Sequence, residues 1–196
     1  GYWAASIGEL KPADTVVVIG AGPTGLCTLM SIKLYSPAKV ILVDVNDFRL
    51  NLAKEQGLAD VIVNSSKEDP LEVILKETDG RGADRVFEVA GLKSTFQLAW
   101  QAARPNAIVV VVALYEEPQE IPLQLMYGKN LIFKTGGVDG NSNYAEEIMK
   151  LVRTKQIDTS CLITHKAPLN DVMNGYDVFE NKKDNCIKWV ITPYER

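Results

Sequence analysis

The sequence predicts an α/β protein whose core is a doubly wound, six-stranded parallel sheet. Runs of about five apolar residues recur without polar–apolar alternation, which is typical of strands covered by helices on both faces. Amphipathic stretches separate these runs, and strand–helix repetition with short links favours parallel pairing. The composition agrees, because 46% hydrophobic and 23% charged residues are usual for a globular domain.

The first half of the chain contains three strand–helix pairs. The run TVVVI is the first strand, and Leu26 and Leu29 begin the helical spacing of the first helix. Gly57 ends the second helix, and Asp69 caps the third, with Pro70 in its first position. The predicted strands are residues 15–19, 40–43 and 61–63, and the predicted helices are residues 23–34, 48–56 and 70–78.

The second half completes the sheet and adds a tail of helices and a strand. A turn at residues 79–84 precedes the fourth strand, and the connection EEPQEIP precedes the sixth. We predict strands at residues 86–89, 108–112 and 131–134, with a helix at 94–103. A polar loop at 138–143 then leads to helices at 144–155 and 170–180, the latter capped by Asn170 or Asp171. A final strand at 187–191 has no evident partner within the chain.

The first strand is followed by the stretch GAGPTG, which has the pattern G-x-G-x-x-G and opens a helix. Gly20 permits the tight turn, Gly22 leaves room for a pyrophosphate, and Gly25 lets the helix pack closely on the sheet. Pro23 suits an early helix position, where its missing N–H is dispensable. Free N–H groups at the helix start favour an anion, so the pattern indicates a dinucleotide site. A Walker-type phosphate loop is excluded because the stretch has no lysine.

An acidic residue at the end of the second strand is the expected partner of this loop. Asp44 lies 19 residues past Gly25, close to the ~20 residues that separate the loop from a ribose-binding carboxylate. A carboxylate there accepts hydrogen bonds from the ribose hydroxyls and repels a 2′-phosphate, which favours NAD over NADP. The alternative is a solvated strand-end aspartate. Arg49 either covers the adenine, pairs with Asp44, or is a solvated charge at the helix start.

Charge and apolar-run length argue against several classes of partner. The chain has 21 basic and 25 acidic residues, a net charge of −4, so nucleic acid is not expected as a partner. No apolar run approaches the ~20 residues of a membrane helix, and no signal peptide is evident. Three distant cysteines, Cys27, Cys161 and Cys186, indicate reduced thiols in the cytoplasm. The start GYWAAS lacks Met, which indicates processing or an absent upstream part.

Stretches along the whole chain also carry a family resemblance. They include GYWAASIGELKPADTVVVIGAGPTGL, KVILVDVNDFRLNLAKEQG, TDGRGADRVFEVAG, LVRTKQIDTSCLITH and IKWVITP. In this order they resemble the cofactor half and closing segment of the zinc-type medium-chain alcohol dehydrogenases. The resemblance implies a Rossmann-type NAD-binding domain at residues 1–137 and a C-terminal segment at 138–196 that packs back on a missing catalytic domain.

The resemblance assigns further residues to the cofactor. Gly22, Pro23 and Thr24 line the pyrophosphate, and Asp44 holds the adenosine ribose with Arg49 nearby. The adenosine side of the cleft is bordered by Val89, Ala90 and Gly91, and the nicotinamide is met by Leu114 and by the sixth strand near Phe133 and Thr135. For Ala90 and Leu114 the alternative is core packing at strand ends.

The catalytic residues of the family are expected to lie outside this chain. The missing N-terminal domain supplies the Cys, His and acidic ligands of the catalytic zinc. Here the only histidine is His165, and no metal-binding motif is present, so we expect no metal site at Cys161 and His165. The stretch CLITH is β-branched and precedes Pro168, which argues against a helix there. Glu88 is either a general base or, as we expect, a buried strand-end carboxylate that serves packing or a hydrogen bond to a neighbouring loop.

Two hypotheses about function remain. In the first, the chain is the NAD-binding part of a zinc-dependent alcohol or polyol dehydrogenase, is catalytically incomplete, and meets its alcohol through the missing domain. In the second, it is a free-standing NAD-binding or regulatory module. The unpartnered last strand favours the first and predicts exposed apolar surface around Trp189, Val172 and Tyr176. The resemblance also implies pairing through sixth-strand edges, giving a homodimer or a tetramer.

Overall fold

A computed structural model describes residues 1–136 and 143–193 and contains two parallel sheets. The larger has six parallel strands, as predicted, and their order is β3-β2-β1-β4-β5-β6, whereas the smaller pairs β7 with β8. The strands are β1 (Thr15–Ile19), β2 (Lys39–Asp44), β3 (Val61–Asn64), β4 (Ala83–Glu88), β5 (Ala103–Val111), β6 (Ile132–Thr135), β7 (Ile163–Pro168) and β8 (Lys188–Thr192). The polar loop expected at 138–143 and the boundary expected at 137/138 fall almost wholly outside the described residues.

Helices connect the strands in the predicted order. They are α1 (Tyr2–Ile7), α2 (Pro23–Lys33), α3 (Asp47–Glu55), α4 (Pro70–Glu77), α5 (Lys93–Ala102), α6 (Leu123–Met126), α7 (Ala145–Arg153) and α8 (Val172–Glu180). Helices α1 and α6 were not predicted, since six and four residues are too few for a helical period to be visible. The Asp69 cap of α4 is confirmed, because its Oδ1 accepts from Leu71 N at 2.8 Å. Asp171 is the N-cap position of α8 without a side-chain cap bond.

Strand β5 differs most from its predicted bounds. It begins at Ala103 instead of residue 108, and its first residues include the polar stretch Arg104 to Asn106. These residues pair with β4 only irregularly, because the register shifts between Ala83 and Arg85. A polar start of this kind carries no apolar signal, so sequence patterning locates only the buried end of the strand.

The sheet separates two apolar cores, one on each face. Along β1, Val16 and Val18 belong to one core, whereas Val17 and Ile19 belong to the other. Every position of the strand interior is therefore buried, which explains why its sequence shows no polar–apolar alternation. Helix α2 packs on the first face through residues such as Leu26, and helix α5 covers the second face.

The last strand has a partner within the described chain, and the expectation of an unpartnered strand is wrong. Strand β8 pairs in parallel with β7, which the β-branched stretch CLITH enters, and α8 connects the two strands. The His165 ring stacks on the paired Trp189 ring, with 5.2 Å between centroids and 7° between planes. Tyr176 is exposed, as expected, whereas Val172 and Trp189 are half-buried.

A buried arginine fixes the N-terminal segment to the sheet. Arg85, on β4, donates from Nε to Gly8 O at 2.8 Å and from Nη2 to Glu9 O at 3.0 Å. Its Nε also lies 3.5 Å from the buried Asp14 carboxylate. On β6, Lys134 donates to Ile7 O at 2.8 Å. The carbonyls that follow α1 are thus satisfied by side chains of the sheet, which holds α1 against it.

The close approach of α2 to the β1–α2 turn predicts a strong effect of Gly25→Ala. A Cβ at this position would lie 1.9 Å from Gly20 O, a backbone atom that cannot move aside without displacing the strand end. We expect the substitution to lower the free energy of unfolding by about 3 kcal/mol, measured by chemical denaturation. Gly128→Ala is the matched control, because its added Cβ meets no atom within 4 Å. Equal stability of the two variants would contradict the close packing described here.

Candidate functional site

The candidate site is the cleft at the carboxyl ends of β1, β2 and β4. The strand order reverses between β1 and β4, and in open α/β sheets ligands bind in the crevice at such a reversal. A cavity of about 340 Å³ lies here, and its walls include Gly20, Asp44, Val45, Pro70, Ala90 and Leu98. The structure thus brings the glycine loop, the predicted acidic residue and the β4 loop to one place.

The three glycines of the β1–α2 loop differ in whether the fold itself requires a residue without a side chain. Gly20 has a φ of +110°, and a Cβ there would lie 3.1 Å from Val89 C in the β4 loop. Gly25 is required by the contact between α2 and Gly20 O. Gly22, in contrast, has a φ of −67°, and a Cβ there would meet no atom within 4 Å. The protein fold alone therefore does not explain a glycine at position 22.

The first turn of α2, which follows the glycine loop directly, has no side-chain cap. The N-cap residue is Gly22, which has no side chain to bond the first N–H groups, and Pro23 follows it. Thr24 is exposed, and the first helical hydrogen bond runs from Leu26 N to Gly22 O at 2.9 Å. Helix N-termini of this kind attract anions through free N–H groups and the helix dipole.

Asp44 lies directly against the glycine loop. Its Oδ2 accepts from Ala21 N at 2.5 Å, and its Oδ1 accepts from Asn46 N at 2.8 Å. The carboxylate is half-buried and borders the cavity, so it differs from a freely solvated strand-end aspartate. Both oxygens keep a lone pair for a further donor, because a carboxylate has about four acceptor sites.

Arg49, in α3, is not the ion-pair partner of Asp44. Among the ion pairs of residues 1–136 and 143–193 there is none between these two side chains, so the pairing alternative is wrong. Its side chain is half-buried, and its Nε is buried without a hydrogen-bond partner. An orphaned buried donor is costly, which makes Arg49 unlike a solvated charge at a helix start.

The loop after β4 is held by the buried carboxylate of Glu88. Glu88 is 0% exposed, and its Oε1 accepts from Ala90 N and Gly91 N, each at 2.9 Å. The expectation that it bonds to a neighbouring loop is confirmed. Val89 is half-buried and Ala90 is exposed at the cavity wall, so core packing does not explain Ala90.

The loop after β5 and the end of β6 form the other side of the cleft. Leu114 is 85% exposed, which excludes core packing for its side chain. Phe133 and Thr135, on β6, are exposed as well. Tyr115, which sequence reasoning missed, donates from its hydroxyl to Glu88 Oε2 at 2.5 Å. Burial raises the pKa of Tyr115, and the hydrogen bond to Glu88 raises it further, so the phenol stays a donor.

Neither Cys161 nor His165 lines this cleft. Cys161 lies in a 3-10 turn, and burial raises the pKa of its thiol. His165 lies on β7, with its Nδ1 2.9 Å from Thr164 Oγ1. Across residues 1–136 and 143–193, no three His, Cys, Asp or Glu side chains cluster as metal ligands would. Within the same ranges, every helix is too short or too polar to cross a membrane.

The chain is similar to known dehydrogenases along its whole length. An alcohol dehydrogenase of Cupriavidus necator is 29% identical over 197 aligned positions, covering 99% of this chain and 53% of that protein. The apo structure of zinc dependent alcohol dehydrogenase 2 from Streptococcus pneumonia has a TM-score of 0.89 and 30% identity, covering 100% of this chain and 58% of that one. An alcohol dehydrogenase from E. coli CFT073, solved with NADH, has a TM-score of 0.86 and 30% identity, covering 97% and 57%.

These matches confirm the family and define how much of it is present. The chain spans about half the length of the curated relatives it matches. Residues 23–156, which include Asp44, Glu88 and the end of β6 and begin within the glycine loop, match the family described as zinc-binding dehydrogenase. On this match, the chain belongs to the zinc-binding dehydrogenase family.

Proposed function

We propose that this chain binds NAD and is the cofactor-binding part of a zinc-dependent alcohol or polyol dehydrogenase. One arrangement carries the proposal: an uncapped helix N-terminus and the Asp44 carboxylate meet at the point where the strand order reverses. The E. coli relative that was solved with NADH supports the choice of cofactor.

The adenosine half of NAD fits the cavity beside Asp44. The pyrophosphate lies at the start of α2, over Gly22, Pro23 and Thr24, where the N–H groups face it. The free acceptor positions of Asp44 bind the ribose hydroxyls, and the same negative charge disfavours a 2′-phosphate. Val89, Ala90 and Gly91 border this half, and Arg49, whose Nε is buried without a partner, is proposed to lie nearby.

The nicotinamide half extends towards β5 and β6. Leu114 offers backbone groups to the nicotinamide, and the end of β6 near Phe133 and Thr135 borders it. When bound, NAD accepts or delivers the hydride that is exchanged with an alcohol carbon. This chain orients the nicotinamide ring for that exchange. Holding two reactants in a fixed orientation by itself increases the reaction rate greatly.

Zinc and the alcohol belong to the half of the relatives that this chain does not span. A catalytic zinc needs about three protein ligands, and the described residues do not cluster into such a set. We therefore place no catalytic and no metal-binding residue in this chain. Residues 138–196 are proposed to pack against the catalytic half.

The surroundings of the cleft support three further proposals. A homo-oligomer, either a dimer or a tetramer, is supported by β6, which is a sheet edge with Ile132 and Phe133 exposed. A cytoplasmic location is supported by the free thiols of Cys27, Cys161 and Cys186. The acidic net charge of −4 argues against nucleic acid and anionic membrane surfaces as partners, whereas NAD and an alcohol are the partners that the proposed dehydrogenase role implies.

The role given to Asp44 predicts a cofactor preference that one substitution removes. The parent chain should bind NAD more tightly than NADP in calorimetric titrations. Asp44→Ala should weaken NAD binding about tenfold, because hydrogen bonds to a charged group are lost. Asp44→Asn, which keeps an acceptor for Ala21 N, should mainly reduce the discrimination against NADP. Glu55→Gln is the charge-matched control, because it removes one negative charge from an exposed side chain at the end of α3, the helix that follows Asp44. Equal affinity of the parent for both cofactors would refute this role.

Gly22 predicts a separation of binding from stability. Since a Cβ at this position meets no protein atom, Gly22→Ala should lower the free energy of unfolding by less than ~1 kcal/mol, the usual cost at an N-cap. The same Cβ would occupy space given to the pyrophosphate, so NAD affinity should fall about tenfold or more. Unchanged NAD affinity in a stable Gly22→Ala variant would place the pyrophosphate elsewhere.

A further inference from the structure

We infer that Glu88 is a positioning residue that, with Tyr115, sets the spacing of the two loops on either side of the cofactor cleft. The inference rests on the proposed function, because it concerns how the same cleft is shaped for its two halves. Glu88 itself does not reach the cavity and touches no proposed ligand group.

Each oxygen of the Glu88 carboxylate accepts hydrogen bonds from a different loop. Oε1 accepts from Ala90 N and Gly91 N, in the loop after β4. Oε2 accepts from the hydroxyl of Tyr115, in the loop after β5. The backbone carbonyl of Glu88 also accepts from Val112 N at 2.9 Å, at the end of β5. One residue therefore connects both loops at their origin.

The two loops also touch each other beside this connection. Gly91 has a φ of +80°, and a Cβ there would lie 2.7 Å from Leu114 O. Leu114 immediately precedes Tyr115, so the hydrogen bond to Glu88 fixes the backbone that is proposed to meet the nicotinamide. The Tyr115 ring is itself anchored, because it packs edge-on against Phe96 with 6.2 Å between centroids.

The charge of Glu88 has no cation to balance it within the described residues. It takes part in none of the ion pairs there, although it is fully buried. A buried carboxylate is costly unless hydrogen bonds replace its hydration, and three donors do so here. An apolar side chain would fill the space without this cost, so the carboxylate is explained by the loop groups it holds.

The test compares NAD with ADP-ribose, which contains the adenosine and pyrophosphate but no nicotinamide. Tyr115→Phe releases the β5 loop and leaves the β4 loop bonded to Glu88. We expect its NAD affinity to fall about fivefold, the usual scale for one lost hydrogen bond, while ADP-ribose affinity stays within about twofold. The control is Tyr127→Phe, which removes the hydroxyl of a tyrosine that is 92% exposed and should change neither affinity.

A purely structural role of the pair would give a different pattern. General loosening of the fold would weaken both ligands equally, and that result, or an unchanged NAD affinity, would overturn the inference. If Tyr115→Phe does not fold, the double variant Glu88→Gln/Tyr115→Phe is tested instead, because it also removes the negative charge of Glu88 that Tyr115→Phe leaves without its hydroxyl donor. The double variant must then show the same selective loss of NAD affinity. A parent chain that binds neither ligand refutes the proposed function and this inference together, whereas binding with an unchanged ratio refutes the inference alone.

The pair also has a spectroscopic signature that is independent of ligand. The negative charge of Glu88 stabilises the protonated phenol, so Glu88→Gln should lower the pKa of Tyr115. Ultraviolet titration of tyrosinate, with Tyr115→Phe to identify the signal, measures this shift. An identical titration curve for the parent and Glu88→Gln would show that the two groups are not in contact and would overturn the inference.

Discussion

The close approach of α2 to Gly20 is the constraint on which the rest of the cleft depends. Because Gly25 has no side chain, the helix begins almost in contact with the end of β1. Its uncapped N-terminus therefore lies beside the ends of β2 and β4, the neighbours of β1 in the sheet. Asp44 then reaches Ala21 N, and Gly20 packs on Val89. A larger residue at position 25 would move the helix away from all of these groups.

The parallel sheet could be predicted from the sequence because both of its faces are buried. Strands such as β1 and β2 are apolar at every interior position, and a continuous apolar run gives a clear signal. The glycine loop and Asp44 were found for a related reason, since their spacing is imposed by one strand–helix–strand unit. In this part of the chain, the residues that form the site are close in sequence, so their spacing predicts their positions in the structure.

The sequence pattern does not predict those parts of the structure that depend on contacts between residues distant in the sequence. Strand β8 was predicted from its apolar run, whereas the partly buried β7 and its pairing with β8 across α8 were not. Likewise, nothing near Tyr115 marks it as a hydrogen-bond donor to Glu88, 27 residues earlier. The parallel pairing of β4 and β5 brings these side chains together, so the contact becomes visible only in the folded chain.

Two carboxylates, at the ends of the strands on either side of β1, show how one fold gives the same group opposite roles. Glu88 is fully enclosed, and its two oxygens are occupied by three donors of the protein. Asp44 is half-buried at the cavity wall, and each of its oxygens accepts a single backbone N–H. Only Asp44 keeps acceptor positions that are open to a ligand. The number of donors that the surrounding protein supplies thus decides which carboxylate is left available to a ligand.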